Sequence, residues 1–300
     1  IKDPQASVAG IGVAGENKVK FASIMNDIDR AAGRCGGGAV LGSKNVKALA
    51  VSGYGDITVA KPDEFLKAVK VAEESVMKSL GRSSFLAGTI GMFTTCSQMG
   101  DLPTKYGWSG TWDKAEEFYD KFLSTNFIKQ RACWACMLAC GRYSEAKGKW
   151  ATVSSGGPEY ETAAALAAFC FMEDNDALIR ANYLCNIHGL DTISSGHMIS
   201  FGMLCYERGL ITKKDTGVEL IWGNPEALVT MVEQIARRQG FGNILAEGIK
   251  VAAEKIGKNA PELALHVKGL DMPMHDPRAG KSLAVQYGTA NRGMCHIHPQ

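Results

Sequence analysis

Residues 131–141 read RACWACMLACG, and this stretch places Cys133, Cys136 and Cys140 within eight residues of one another. A thiolate binds iron or zinc only when it is deprotonated, and three crowded thiolates repel each other unless a cation or a metal cluster neutralises them. The C-x2-C-x3-C spacing therefore predicts a metal site. Three cysteines leave one ligand to be supplied from elsewhere in the protein.

The spacing favours an iron–sulfur cluster over zinc. Clusters held by cysteine take four thiolates, and the last one often comes from far along the chain. A structural zinc site would show a second C-x2-C pair or a Cys/His pair, whereas the other six of the nine cysteines are scattered singly. We predict a [4Fe–4S] cluster, with zinc and buried, inert cysteines as the alternatives. The odd cysteine count and the lack of a secretory pattern disfavour disulfides.

The composition excludes several classes of partner. The 300 residues are 46% hydrophobic and 21% charged, which is enough for a sizeable core. The formal net charge is only +2, and no Lys/Arg block with interleaved aromatic residues suggests nucleic-acid binding. No apolar stretch reaches the roughly 18–20 residues that span a bilayer, and no signal-peptide pattern opens the chain, so we expect a cytoplasmic protein without a membrane span.

The chain begins at Ile1 and ends at Gln300, just after a segment rich in potential ligands. We therefore expect it to be a piece of a longer protein. The fourth cluster thiolate is then expected outside this sequence.

The apolar pattern changes once along the chain. Up to residue 55, short apolar runs bounded by glycine favour strands, and from Lys61 onward a helical period dominates. The predicted fold class is α+β and mostly α-helical, with a β-rich N-terminal part followed by helical domains. The expected divisions are residues 1–55, 56–210 and 211–300, and the expected helices begin near residues 62, 159, 174, 225 and 245.

A glycine-rich segment at residues 33–42 holds five glycines in ten residues. Its backbone N–H groups could cradle an anion, with Arg34 and Lys44 as charge partners. The alternative is a tight turn that connects two strands. The segment matches neither a Walker A motif nor G-x-G-x-x-G in a βαβ unit, so ordinary ATP or NAD binding is not predicted.

Five blocks of this sequence, in the same order, resemble the aldehyde:ferredoxin oxidoreductase family. They are GRCGGGAVLGSKNVKA (33–48), the cysteine run, GPEYET (157–162), CNIHGLDTIS (185–194) and NRGMCH (291–296). The resemblance implies a tungsten or molybdenum atom held by two pterin cofactors, with a [4Fe–4S] cluster beside one of them. It also implies oxidation of a small aldehyde to a carboxylic acid, with electrons passing to ferredoxin or an electron-transfer subunit.

The resemblance assigns the cofactor ligands to particular residues. The cluster motif corresponds to Cys133, Cys136 and Cys140. The pterin loop D-x-x-G-L-D corresponds to a segment with Asn in place of the first Asp, which keeps a hydrogen-bond acceptor but loses a charge. The residues implied on the pterin loop and the pterin-phosphate side are Asn186, Gly189, Leu190 and Asp191, and Arg34, Gly36 and Gly37, respectively. The fourth cysteine and a second pterin loop are expected in a C-terminal stretch outside this chain.

Glu161 and His296 correspond to the two side chains that flank the metal in the family. A carboxylate there can take a proton from the water that attacks an aldehyde, and a histidine can donate a hydrogen bond to the carbonyl oxygen. The residues alone favour a different role for Glu161, that of an acid stabilised by the dipole at a helix N-terminus, and Glu159 competes for both roles. Three further histidines compete with His296, namely His266, His275 and His298.

Two other functions remain open from the sequence. A benzoyl-CoA reductase-type catalytic subunit uses the same scaffold and would act on a CoA thioester. A non-catalytic iron–sulfur or zinc protein for electron transfer would bind metal at the cysteines and no pterin. The choice between tungsten and molybdenum, the substrate, the redox partner and homo-oligomerisation are not determined by the sequence.

Overall fold

The computed structural model describes residues 3–79, 87–152 and 154–297, so His298 lies outside the described residues. Its helices are α1 (Val13–Glu16), α2 (Gly37–Ser43), α3 (Pro62–Lys78), α4 (Phe93–Gln98), α5 (Ala115–Thr125), α6 (Tyr160–Ala163), α7 (Asn175–His188), α8 (Thr192–Glu207), α9 (Lys213–Thr216), α10 (Pro225–Arg237), α11 (Gly242–Leu245), α12 (Ile249–Ile256), α13 (Ala260–Leu263) and α14 (Lys281–Thr289). Its strands are β1 (Ser7–Gly10), β2 (Ile24–Asn26), β3 (Arg30–Ala32), β4 (Ala48–Val51), β5 (Phe127–Arg131), β6 (Gly141–Ser144), β7 (Ser155–Gly156), β8 (His266–Val267) and β9 (Leu270–Asp271).

The structure is 47% helix and 11% strand, which confirms the predicted α+β, mostly helical class. The strands form three small antiparallel sheets, with the orders β3-β2-β1-β4, β5-β6-β7 and β8-β9. The first sheet lies in the predicted β-rich N-terminal part. The divisions at residues 55 and 210 stay a prediction.

The glycine-rich segment is not the loop that was predicted, because residues 37–43 form helix α2. The glycines allow this helix to approach its neighbours very closely. A Cβ on Gly42 would overlap the carbonyl oxygen of Gly15 in α1, and one on Gly38 would overlap that of Ser23. Close packing of the backbone is thus the physical reason for these glycines.

Helices α7 and α8 form the centre of the core. The side chain of Asp174 accepts a hydrogen bond from the Ala177 N–H at the start of α7, and Gly189 ends that helix at a left-handed φ of 70°. The helix predicted to begin near residue 174 is thus confirmed, and these two residues fix its ends. From residue 193 to residue 205, every residue of α8 is buried, including the polar residues Ser194, Ser195, His197 and Ser200, so this stretch has no solvent face. The helix predicted at 245–256 is interrupted at residues 246–248.

The cysteine run lies in the hairpin loop between β5 and β6, where Arg131 is paired with Gly141. This small sheet continues through β7 into Glu159 and α6. The cysteine loop and the start of α6 are therefore attached to the same sheet.

Helix α6 passes directly into a π-helical turn at Ala164–Ala168, in which the Phe169 N–H donates to the Ala164 carbonyl at 2.8 Å. Such π turns are frequent beside functional sites. Gly196 of α8 packs on this turn, and a Cβ there would overlap the Ala165 carbonyl. In the described part of the chain, no helix is long and apolar enough to cross a membrane.

We expect Gly196→Ala to lower the free energy of unfolding by about 1–3 kcal/mol, because the added methyl group would push α8 away from the π turn. Gly288→Ala is the matched control, since Gly288 also lies in a helix and no heavy atom would approach its Cβ within 4 Å. This control should be neutral or more stable by up to about 1 kcal/mol, from helix propensity alone. Denaturant unfolding of the full-length protein measures both, and equal effects of the two substitutions would contradict the packing argument.

Candidate active site

A cavity of about 540 Å³ lies where the end of β3, the sheet β5-β6-β7 and the connection between α7 and α8 meet. The structure brings to its wall six of the residues predicted from the sequence, namely Arg34, Glu161, Asn186, Leu190, Asp191 and His296. The predicted residues Gly36, Gly37, Gly189 and the three cysteines are not among the lining residues. The wall also contains Arg30, Arg131, Arg142 and Arg292, which the sequence analysis did not single out.

Arg34 belongs to a buried ion cluster. Its Nη2 donates to a carboxylate oxygen of Asp271 at 2.8 Å and to the backbone carbonyl of that residue at 2.7 Å, and its Nε lies 3.6 Å from Asp191. The Ser194 hydroxyl donates to Asp191 at 2.7 Å and lies 3.0 Å from Asp271. Burial works against the charge of Arg34, but the two carboxylates outweigh it and raise the pKa of the guanidinium. Burial raises the pKa of Asp191, although Arg34 opposes this effect.

The predicted pterin loop is the connection between α7 and α8. Asn186 and Asn182, one turn apart on α7, both donate from their amide groups to the carbonyl of Gly156, at 3.2 and 2.9 Å. Gly189 must be glycine because of its left-handed φ and because its Cβ would lie 2.9 Å from the backbone nitrogen of Gly12. Asp191 then caps α8 by accepting from the Ile193 N–H at 3.1 Å. Both helix ends are thus fixed at the cavity wall.

Glu161 and His296 converge, as the predicted site requires. One carboxylate oxygen of Glu161, Oε2, accepts from the Met274 N–H at 2.8 Å. The other, Oε1, lies 3.3 Å from Nε2 of His296 and 3.6 Å from Nε2 of His275. Burial lowers the pKa of His296, and the Glu161 charge opposes this effect only in part. His296 is therefore a neutral imidazole at neutral pH, placed against a carboxylate.

His275 and Asp101 complete this group of side chains, and the sequence analysis gave them no role in it. Nδ1 of His275 lies 2.7 Å from Oδ2 of Asp101, and the other carboxylate oxygen of Asp101 accepts from the Asp276 N–H at 2.8 Å. Burial alone would lower the pKa of His275. The hydrogen bond to Asp101 and the charges of Glu161 and Asp101 exceed that effect, so the pKa of His275 is raised.

Glu159 connects the cavity with the cysteine loop. Its carboxylate is 3.2 Å from both Arg30 and Arg142, and it accepts a hydrogen bond from the Thr89 hydroxyl. Arg142 is fully buried and donates to the carbonyl of Cys140 at 2.8 Å. Burial lowers the pKa of Arg142, although Glu159 opposes this. Glu159, which competed with Glu161 in the sequence, thus has an anchoring role.

The three cysteines lie on a tightly curved loop. Cys133 and Cys136 are exposed and Cys140 is half-buried. The residues before the second and third cysteines, Ala135 and Ala139, have left-handed φ values of 54° and 49°, which is strained for alanine. Burial raises the pKa of Cys140, and Glu159 and the other two thiols add to this effect. A cation near the loop would remove this obstacle to forming thiolates.

Several buried polar atoms at the cavity wall lack a partner. Among the described residues, the Nε atoms of Arg30, Arg34 and Arg142 and Oδ2 of Asp29 make no hydrogen bond, and all four residues line the cavity. Five arginines, namely Arg30, Arg34, Arg131, Arg142 and Arg292, line the cavity, and this set of guanidinium groups fits an anionic ligand with many acceptors.

Comparison with known protein families places this chain in a family of oxidoreductases. The family described as aldehyde ferredoxin oxidoreductase, domains 2 & 3, matches residues 67–300, and the corresponding N-terminal domain matches residues 1–53. The chain belongs to the aldehyde ferredoxin oxidoreductase family, which confirms the resemblance found from the five sequence blocks.

Three relatives illustrate the extent of the similarity. The tungsten-containing aldehyde ferredoxin oxidoreductase of Pyrococcus furiosus is 39% identical over 98% of this chain and 48% of its own length. The protein of the same name from Thermococcus kodakarensis is 38% identical over 97% of this chain and 48% of its own length. The WOR-like subunit of aliphatic sulfonate oxidoreductase from P. furiosus is 31% identical over 90% and 44%, respectively. The chain spans about half the length of these relatives.

A solved structure shows a similar fold. The active-site complex BamBC of benzoyl coenzyme A reductase, with bound 1,5-dienoyl-CoA, superposes with a TM-score of 0.71 at 27% identity. The match covers 91% of this chain and 43% of that chain.

We expect Arg34→Met to lower the free energy of unfolding by about 3–5 kcal/mol at neutral pH, because it leaves two buried carboxylates without a cation. The loss should shrink as the pH falls. Removal of Arg34 raises the pKa of Asp191 in the folded state further. A folded protein that contains an acid with a raised pKa binds protons more readily than the unfolded chain. Acidification through that pKa therefore recovers part of the stability that the variant has lost. Unfolding curves of the full-length protein between neutral and mildly acidic pH measure this.

Arg237→Met is the control for this prediction. Arg237 is half-exposed and pairs with Glu233 one turn away on α10, so its loss should cost at most about 0.5 kcal/mol at any of these pH values. A loss for Arg34→Met that is equally small, or that does not depend on pH, would argue against the buried cluster.

Proposed function

We propose that this chain is part of a tungsten- or molybdenum-dependent bis-pterin oxidoreductase that oxidises aldehydes to carboxylic acids. Electrons would leave through a [4Fe–4S] cluster to ferredoxin or an electron-transfer subunit. The observation that carries the proposal is the approach of Glu161 and His296 to 3.3 Å at the wall of a cavity that is also lined by five arginines.

The residues at the wall fit a pterin group. Its phosphate would lie against the guanidinium groups of Arg30, Arg34 and Arg142, and Asn186 would contact a pterin ring from α7. The cysteine loop would supply three of the four cluster thiolates. When bound, the metal–pterin group would supply a two-electron acceptor, and the cluster would supply a one-electron carrier.

The protein side chains supply the proton chemistry. The reaction RCHO + H2O → RCOOH + 2 H⁺ + 2 e⁻ requires that the attacking water lose a proton, and Oε1 of Glu161 is the acceptor that faces His296. Since Oε2 is held by the Met274 N–H, the carboxylate cannot rotate away from this position. His296 would orient the aldehyde by a hydrogen bond to its carbonyl oxygen. Leu190 and Ile193 provide apolar wall that excludes bulk water.

We expect the full-length parent protein, purified without oxygen, to contain about one tungsten or molybdenum atom and about four iron atoms per chain, by the four-thiolate logic. It should oxidise simple aldehydes with a viologen dye as electron acceptor. Glu161→Gln should lower kcat by about 10²–10⁴-fold with metal content unchanged, because the amide cannot accept a proton. Elemental analysis and steady-state kinetics measure both quantities.

Glu173→Gln is the control for Glu161→Gln, since Glu173 is half-exposed and pairs only with Lys114 among the described residues. It should match the wild type. Zinc alone, or iron without tungsten or molybdenum, would refute the pterin assignment and favour the non-catalytic metal-binding alternative.

We expect Cys140→Ser to lower the iron content of the purified protein, with loss of the broad visible absorption of an iron–sulfur cluster, because it removes one of the proposed ligands. Cys35→Ser is the matched control, since Cys35 is an exposed cysteine outside the run. Iron analysis and the visible spectrum test this independently of activity. Equal iron contents in both variants would rule out the cysteine run as the cluster site.

The fold similarity to the benzoyl coenzyme A reductase complex favours a second candidate, a subunit that reduces an aromatic CoA thioester. The same protein preparation decides between the two. The first proposal is supported if the preparation oxidises aldehydes but does not reduce benzoyl-CoA when a strong one-electron donor is supplied. Reduction of benzoyl-CoA without oxidation of aldehydes supports the second.

A further inference from the structure

Glu161 has a second histidine neighbour, His275, that does not line the cavity. His296 lines the cavity, whereas His275 does not, although Nε2 of His275 is only 3.6 Å from the same Glu161 oxygen. On its other side, Nδ1 of His275 makes a 2.7 Å hydrogen bond to Asp101. The side chains of His275 and Asp101 are each 21% exposed, so this row of groups runs from the cavity wall to solvent.

We propose that His275, positioned by Asp101, is a proton relay that carries the proton collected by Glu161 from the cavity to solvent. The inference rests on the proposed function, in which Glu161 is the base. Each turnover yields two protons, and a base that cannot release its proton would be blocked after one cycle. The relay gives Glu161 a release path that does not pass through the substrate cavity.

The transfer balances in atoms and charge. The protonated Glu161 gives its proton to Nε2 of His275, so the Oε1–H bond breaks and an Nε2–H bond forms. His275 becomes an imidazolium, which Asp101 stabilises through its hydrogen bond with Nδ1. The ring, which is 21% exposed, then loses the Nε2 proton to water, so the Nε2–H bond breaks and the neutral imidazole with its proton on Nδ1 is restored. The 3.6 Å gap from Nε2 to Oε1 exceeds a hydrogen bond by a few tenths of an ångström, and catalytic hydrogen bonds often tighten when substrate binds.

The surroundings hold this geometry in place. Asp101 accepts from the Asp276 N–H at 2.8 Å, and Tyr287 donates to the carbonyl of His275 at 3.1 Å. The ring of Tyr160 lies 5.1 Å from the imidazole, centre to centre. The titratable groups near His275 are Asp101, Glu161, His296, Tyr160, Tyr287 and Cys96.

A metal ion is the competing occupant of this place. Ligand atoms of Cys96, Asp101 and His275 lie within 4.8 Å of one another. Nδ1 of His275 is already hydrogen-bonded to Asp101 at 2.7 Å, which favours the relay over a cation.

The test uses the full-length holoenzyme with Asp101→Asn and His275→Gln. Both variants should keep the tungsten and iron content of the wild type and lose about ten- to a hundredfold in kcat, with KM little changed, because only proton release is affected. The pH profile separates this from a structural role. Nε2 must be unprotonated to accept a proton, so the wild-type kcat should rise with pH through the raised pKa of His275. Asp101→Asn removes one cause of the raised pKa of His275, so in this variant kcat should increase at a lower pH than in the wild type.

Asp113→Asn and His266→Gln are the controls, since both residues lie outside this row. They should match the wild type in kcat and in pH profile. Wild-type rates and an unmoved pH profile for both relay variants, in an enzyme that oxidises aldehydes, would overturn the relay and leave the proposed function intact.

A second measurement does not depend on activity. Diethylpyrocarbonate modifies neutral histidine, and peptide mass spectrometry follows the modification of His275 against pH. The midpoint should lie above the ordinary histidine value and fall in Asp101→Asn. If the wild type carries tungsten but oxidises no aldehyde, the proposed function fails, and this midpoint alone decides whether Asp101 holds the imidazole. An unchanged midpoint would overturn the relay.

Discussion

The arrangement of the site depends on the buried ion cluster of Arg34, Asp191 and Asp271. Its members come from the turn after β3, the start of α8 and strand β9, and their side chains are 6%, 4% and 8% exposed. A buried charge without its partner is very costly, so these three segments cannot separate without a large loss of free energy. The cavity walls carried by the same segments are therefore fixed relative to each other. Preorganisation of the site is in this sense a consequence of electrostatics in the core.

Backbone packing then sets the direction of Glu161. Glu161 lies on α6, which continues into the π turn at Ala164–Ala168, and Gly196 allows α8 to lie directly against that turn. The neighbouring Thr162 hydroxyl makes a 2.8 Å hydrogen bond with that of Thr192 at the start of α8. Because α8 is buried on all sides, it cannot shift without moving the core, and Glu161 is held over the cavity as firmly as the core itself.

The parts of the site that the sequence revealed were those with local signals. Cys133, Cys136 and Cys140 stand out by spacing, and the limits of α7 follow from Asp174 and Gly189, which act on neighbouring backbone groups. Glu161 and His296 were found through the resemblance, and only the structure shows that they meet. Asp271 and Asp101 had no such signal, because their partners Arg34 and His275 are 237 and 174 residues away along the chain. The glycines at residues 37–42 were misjudged for the same reason, since what they avoid is the backbone of α1 and of Ser23.

The two carboxylate oxygens of Glu161 have different partners, and this difference sets the direction of proton transfer at the site. Oε2 accepts a hydrogen bond from a backbone N–H, which leaves Oε1 as the oxygen that faces the two imidazoles. Around that one atom lie two imidazoles whose pKa values are shifted in opposite directions, His296 downward by burial and His275 upward against burial by its carboxylate neighbours. A carboxylate between two equal histidines would exchange protons without preference. Here the unequal surroundings distinguish the side of Glu161 that faces the cavity from the side that faces Asp101, so the fold itself defines an inner and an outer partner for the same oxygen.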